Sequence, residues 1–202
     1  QTYLLILVLS FVFNCWNLQG KSIQVTQLET RVYELNNKAE YETSLKEILD
    51  FLNSKKINNE DACYANLFLS DTYKRISDYD NVLLYLDKAQ AFAEKITVNK
   101  QYYLDNITCL KAFALFDIQH YADAKVFMQT LAKKQYVNLS MNAQAMLIMQ
   151  DAYLLYLDKD YVMAEQQYDV AIRKMHLANS CDLPIIYGKK IALYGAMNNE
   201  LN

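Results

Sequence analysis

Apolar and small residues fall in one repeated frame around four tyrosines, Tyr41, Tyr79, Tyr121 and Tyr161, which stand 38, 42 and 40 residues apart. Nine residues before each tyrosine lies a compact side chain (Val32, Ser70, Ala112, Ala152), and six before it a large one (Leu35, Tyr73, Leu115, Leu155). Three after come Ser44, Val82, Ala124 and Ala164; seven after, Ile48, Leu86, Met128 and Tyr168; ten after, Phe51, Ala89, Leu131 and Ala171. Steps of three, four and seven put such residues on one helical face. Recurrence at this period predicts stacked structural units, each too small to bury its own apolar face alone.

Within a unit the pattern predicts helix A, a short turn and helix B. In the second unit, Ala65, Leu69, Tyr73 and Ile76 place helix A over 61–76, and Val82, Leu86, Ala89 and Ala93 place helix B over 81–95. Ser77, Asp78 and Asp80 between them are candidate caps, because their side-chain oxygens can accept from the unpaired amides of a helix's first turn. The third unit turns at Gln119-His120-Tyr121 and the fourth at Lys159-Asp160-Tyr161. Connections this short force the paired helices antiparallel. Ala112 and Ala152 on the A helices are expected to face Ala124 and Ala164 on the B helices, letting the axes approach to about 8 Å.

Composition strengthens the helical reading. Only three glycines and one proline, Pro184, occur in 202 residues, so hairpin turns and strand breaks have few residues to build them, and the expected fold is all-α. An apolar fraction of 53% is ample for a core. The formal charge of −3 and pI near 5.4 give no basic footprint, so nucleic-acid binding by this segment is not expected. Tyr3 to Phe13 is apolar except for Ser10, too short to cross a bilayer as a helix but suited to a secretory signal. Residues 1–20 are therefore expected to be a signal peptide or, in the other reading, an N-terminal apolar helix, with the chain exported to a periplasm or a membrane surface. Membrane contact is expected only through that run or through a helix beyond Asn202.

Candidate catalytic chemistry is sparse. His120 and His176 belong to no metalloprotease or cysteine–histidine arrangement, and Gly20, Gly188 and Gly195 cannot assemble a phosphate-cradling loop. No enzyme activity, cofactor or metal is expected. Cys63 and Cys109 lie in helical apolar patterns and read as core residues; Cys15 falls in the expected signal segment, and no C-x-x-C spacing occurs.

The second unit (L-S-x-x-Y, then D-Y-D-x-V-x-x-x-L-x-x-A, Leu69 to Ala89) and the fourth (Ala152, then D-K-D-Y-x-x-A-x-x-x-Y-x-x-A, Asp158 to Ala171) resemble the tetratricopeptide repeat family. The period exceeds that family's standard of about 34 residues, and its early tryptophan and unit-ending proline are missing. The resemblance implies a right-handed superhelical solenoid of helix-turn-helix repeats. Its units would cover about 23–57, 61–96, 102–135 and 139–178, with an incomplete fifth over 184–202 that opens on Pro184.

The resemblance also implies that the A helices line a concave groove. Carried onto this chain, the groove positions include Tyr33 and Asn36 in the first unit, Tyr64, Asp71, Lys74 and Arg75 in the second, Asn106, Phe113 and Phe116 in the third, and Met149, Tyr153 and Tyr156 in the fourth. Aromatic and thioether side chains would bury a peptide's apolar groups, while the charged ones orient it. The expected partner is thus a protein or peptide segment. Asp71 and Phe113 stand where the chaperone-tail carboxylate clamp needs asparagine, which disfavours that ligand. The export signal and the tyrosine-, asparagine- and lysine-rich repeats also resemble the sensor regions of membrane-bound regulators of the Bacteroidetes, which implies the input domain of a transcriptional regulator or sensor kinase. The competing class is a structural scaffold of an envelope or secreted assembly without a signalling role.

Overall fold

The computed structural model describes residues 21–54 and 57–200, with side chains described to Asn198. The expected signal segment, residues 1–20, lies outside the described residues. Among those described there are nine α-helices and no strand. They are α1 (Ile23–Asn37), α2 (Tyr41–Leu52), α3 (Asn59–Arg75), α4 (Tyr79–Ala93), α5 (Lys100–Asp117), α6 (Tyr121–Lys133), α7 (Met141–Leu157), α8 (Tyr161–Leu177) and α9 (Leu183–Glu200). None of these helices is long and apolar enough to cross a membrane.

Each frame tyrosine is the first residue of its B helix. The joint before it repeats one backbone feature: two residues before the tyrosine, Ala39, Ser77, Gln119 and Lys159 all adopt left-handed backbone, with φ between 58° and 63°. In the first, second and fourth hairpins the next amide (Glu40, Asp78, Asp160) donates back to the carbonyl of Leu35, Tyr73 or Leu155 at 2.9–3.0 Å, closing the A helix with a six-to-one bond. Glycine is the usual residue at such a corner; a residue with a Cβ there costs about 1 kcal/mol. Asp78 and Asp160 then cap their B helices, each accepting from the amide three residues on, Asn81 or Met163, at 3.2 Å. Of the three expected caps, Ser77 instead forms the corner and Asp80 lies inside the helix. The second-unit helices therefore begin two residues earlier than their apolar pattern indicates.

The chain divides into two compact units at Gln119/His120. In the first, α1 packs on α2, α3 on α4, α3 also against α1 and α2, and α4 against α5. Its interior holds Val32, Leu35, Ile48, Leu69, Val82, Leu86 and Ala89, and polar groups as well. The Asn36 amide donates to Thr72 Oγ1 at 3.1 Å, and Thr72 Oγ1 in turn donates to the Phe68 carbonyl at 3.0 Å. Ser44 Oγ lies 3.4 Å from the same hydroxyl. Thr72 thereby joins α1, α2 and its own helix. Cys63 and Cys109 are buried in this unit, and burial pushes the Cys63 thiol up to about 12.

In the second unit α7 packs along α8, with α6 against α7 and α9 against both. Its core gathers Ala145, Ile148, Met149, Ala152, Ala164, Tyr168, Ala171, Met175, Ile186 and Leu193. Ala152, Ala164 and Ala171 are fully buried, which is the role the repeated small positions require. Cys181, before α9, is exposed. Proline at 184 suits its place in the first turn of α9, where an amide has no partner within the helix.

Candidate partner-binding surface

The A helices carry the twelve expected groove residues, and the structure separates them by burial. Tyr33 is 44% exposed. Asn36, Tyr64, Asp71, Phe113 and Met149, expected on a solvent-lining wall, are instead buried. The Asn36 amide is spent on Thr72. The Tyr64 ring meets Tyr103 edge-on at a centroid distance of 5.8 Å and stacks near Phe68 at 6.4 Å. Burial pushes the Tyr64 hydroxyl well above the usual phenol range. Met149 belongs to the core of the second unit. Phe113 sits in a wholly buried run from Lys111 to Leu115, so its ring is interior along with both neighbours.

What the first unit keeps together is charge at the C-terminal end of α3. Arg75 Nε donates to Asp71 Oδ2 at 3.0 Å, one turn apart, and both side chains are only 7% exposed. Arg75 Nη1 is buried without a hydrogen-bond partner. Next to it Lys74 Nζ pairs with Asp117 at 2.9 Å, and the Tyr79 hydroxyl donates to the same carboxylate at 3.4 Å. Burial, reinforced by Asp117, pushes the Tyr79 phenol up to about 12. The last residues of α3 and α5 are thus tied to the first residue of α4. Asn106 and Phe116 on α5 are half-buried, and Asn106 donates to the Tyr102 carbonyl of its own helix at 2.8 Å.

The second unit gathers rings. Tyr153 and Tyr156 stack at 5.8 Å on α7, Tyr121 approaches Tyr153 edge-on at 6.3 Å, and Tyr161 lies 6.0 Å from Tyr156. All four are half-buried, with hydroxyls able to donate and accept. Lys189 of α9 places its ammonium 4.2 Å above the Tyr153 ring, a cation–π contact, and burial pulls this lysine below its ordinary value. Sequence reasoning did not assign Lys189 to the site. Lys189 lies on α9, outside the four hairpins that the frame tyrosines index.

Aromatic faces, phenol hydroxyls and one ammonium can stack on apolar groups and accept or donate hydrogen bonds. Compared with protein families, curated proteins and solved structures, the chain matches none of them.

Proposed function

We propose that this chain is a helical-repeat module that binds a protein or peptide segment. In this reading its hairpins are tetratricopeptide-like and continue as a right-handed superhelical solenoid. The module is exported and serves as the input domain of a membrane-bound transcriptional regulator or sensor kinase. The observation carrying the reading is the left-handed corner that recurs two residues before every frame tyrosine, since a joint used four times marks the hairpin as a repeated structural unit. The second-unit tyrosines with Lys189 form the part of that surface best suited to a partner. Half-buried rings lose little rotamer entropy on contact, and a partly desolvated ammonium favours a carboxylate over water.

The test is selection of binding peptides from a random display library against the full chain. Selected peptides should bind at least tenfold more weakly to Tyr156→Ala and Lys189→Ala, with helicity by circular dichroism unchanged. Absence of any enriched sequence motif, or equal binding by both variants, rejects the reading.

A further inference from the structure

The first unit has a second concavity, apart from the charged end of α3. An open groove of about 770 Å³ runs between α1, α2 and the start of α3. Among its described lining residues are three carboxylates, Glu47, Asp50 and Asp61, against one guanidinium, Arg31. That guanidinium is already neutralised, with Nε 3.2 Å from Glu47 and Nη1 3.8 Å from Glu34. Leu28 and Phe51 add apolar wall.

Asp61 decides what the groove is for. It is only 5% exposed, and its Oδ2 accepts from Asn58 Nδ2 at 3.1 Å while its own amide donates to Asn58 Oδ1 at 2.8 Å. That reciprocal cap at the start of α3 uses one carboxylate oxygen. The other, Oδ1, is buried and has no hydrogen-bond partner. A buried carboxylate oxygen left without a donor is costly, and a charge-assisted donor is the strongest way to satisfy it. The described residues bring no three His, Cys, Asp or Glu side chains together to hold a metal ion, and the apolar wall of Leu28 and Phe51 suits a donor carried on an aliphatic stem.

We propose that this groove receives a basic side chain, arginine or lysine, from a partner polypeptide. The cationic head satisfies Asp61 Oδ1 under the negative field of Asp50, and the methylene stem lies along Leu28 and Phe51. The inference deepens the peptide-binding reading by naming the residue class taken at a second point on the same module.

The probes are a blocked pentapeptide with a central arginine, its norleucine counterpart and spermidine, each titrated into the isotopically labelled full chain and followed by amide chemical shifts. The arginine peptide should shift the amides of Gln27, Asp50 and Asp61, with affinity falling as salt rises. Asp61→Asn should weaken it at least tenfold. Asp50→Asn, at an exposed position, should weaken it about threefold. Equal shifts from the norleucine peptide, unchanged affinity in both variants, or tighter binding of spermidine than of the arginine peptide each overturn the proposal. The broader reading fails separately: it is rejected by the display selection, whose Tyr156 and Lys189 variants lie in the other unit.

Discussion

The two units are built from the same hairpin frame but are held together by different physics. The first keeps Asn36, Asp61, Asn66, Ser70, Asp71, Thr72, Asp105 and Lys111 in its interior, and gives many of them specific partners: Thr72 for Asn36, Arg75 for Asp71, Gln90 for Lys111 at 2.6 Å. The second relies on Ala152, Ala164 and Ala171 against Tyr168 and Met175, with Gln150 and Asp182 its buried polar side chains among the described residues. Directional bonds fix which helices pair, at a high cost when one partner is lost; small-against-large packing fixes how closely they pair, at a cost that scales with volume. One repeat frame therefore supports two kinds of interior, because the frame prescribes size at each position and leaves polarity open.

The comparison is most sharply tested in the second unit. Tyr168→Ala empties the centre of its core and should cost about 3–5 kcal/mol in denaturant unfolding. Hydrogen exchange should place the loss in α7–α9, and protection lost equally throughout α1–α5 would show that the units do not differ as described. Next in size, Thr72→Val keeps the volume but strands the buried Asn36 amide, for about 1–3 kcal/mol. Asn36→Leu in the same background should recover part of this; if it adds a second full penalty, the pair is not coupled.

Smaller effects separate the shared frame from the unit-specific interiors. Ala39→Gly in the first unit and Lys159→Gly in the second both relieve a left-handed corner and should each stabilise by about 1 kcal/mol. A gain in only one of them would mean the joints are not equivalent. The last prediction concerns Asp182. Burial raises its carboxyl above the ordinary value of 3.8, and hydrogen bonds from Asn142 and Ser180 only partly oppose this. An acid with a raised folded pKa favours folding while protonated, so its contribution is full below the unfolded value and is lost as pH rises through the folded one. Stability measured against pH should show that decline in the intact chain and lose it in Asp182→Asn.

Much of the architecture was legible because side-chain size alone reports the close contacts. Ser44, Val82, Ala124 and Ala164, three residues after each tyrosine, are all at most 2% exposed, and so are Ile48, Leu86 and Tyr168 four further on. The corners were not legible. Ala, Ser, Gln and Lys at 39, 77, 119 and 159 include no glycine or asparagine, so nothing in their chemistry announces a left-handed residue. Helix boundaries shifted for the same reason. The groove assignment was weakest on α3, where every residue from Asp61 to Thr72 is buried and no polar face distinguishes an outer wall from an inner one. Asn36 and Asp71 are polar by type, yet a polar residue with a dedicated partner is as buried as leucine.

The placement of one thiol makes the molecule its own reporter of breathing. Cys63 lies shut inside the first unit, and a thiol held near 12 has almost no reactive thiolate at neutral pH. Alkylation of Cys63 should therefore be slow, and its rate would time each excursion of α3 from its packed state.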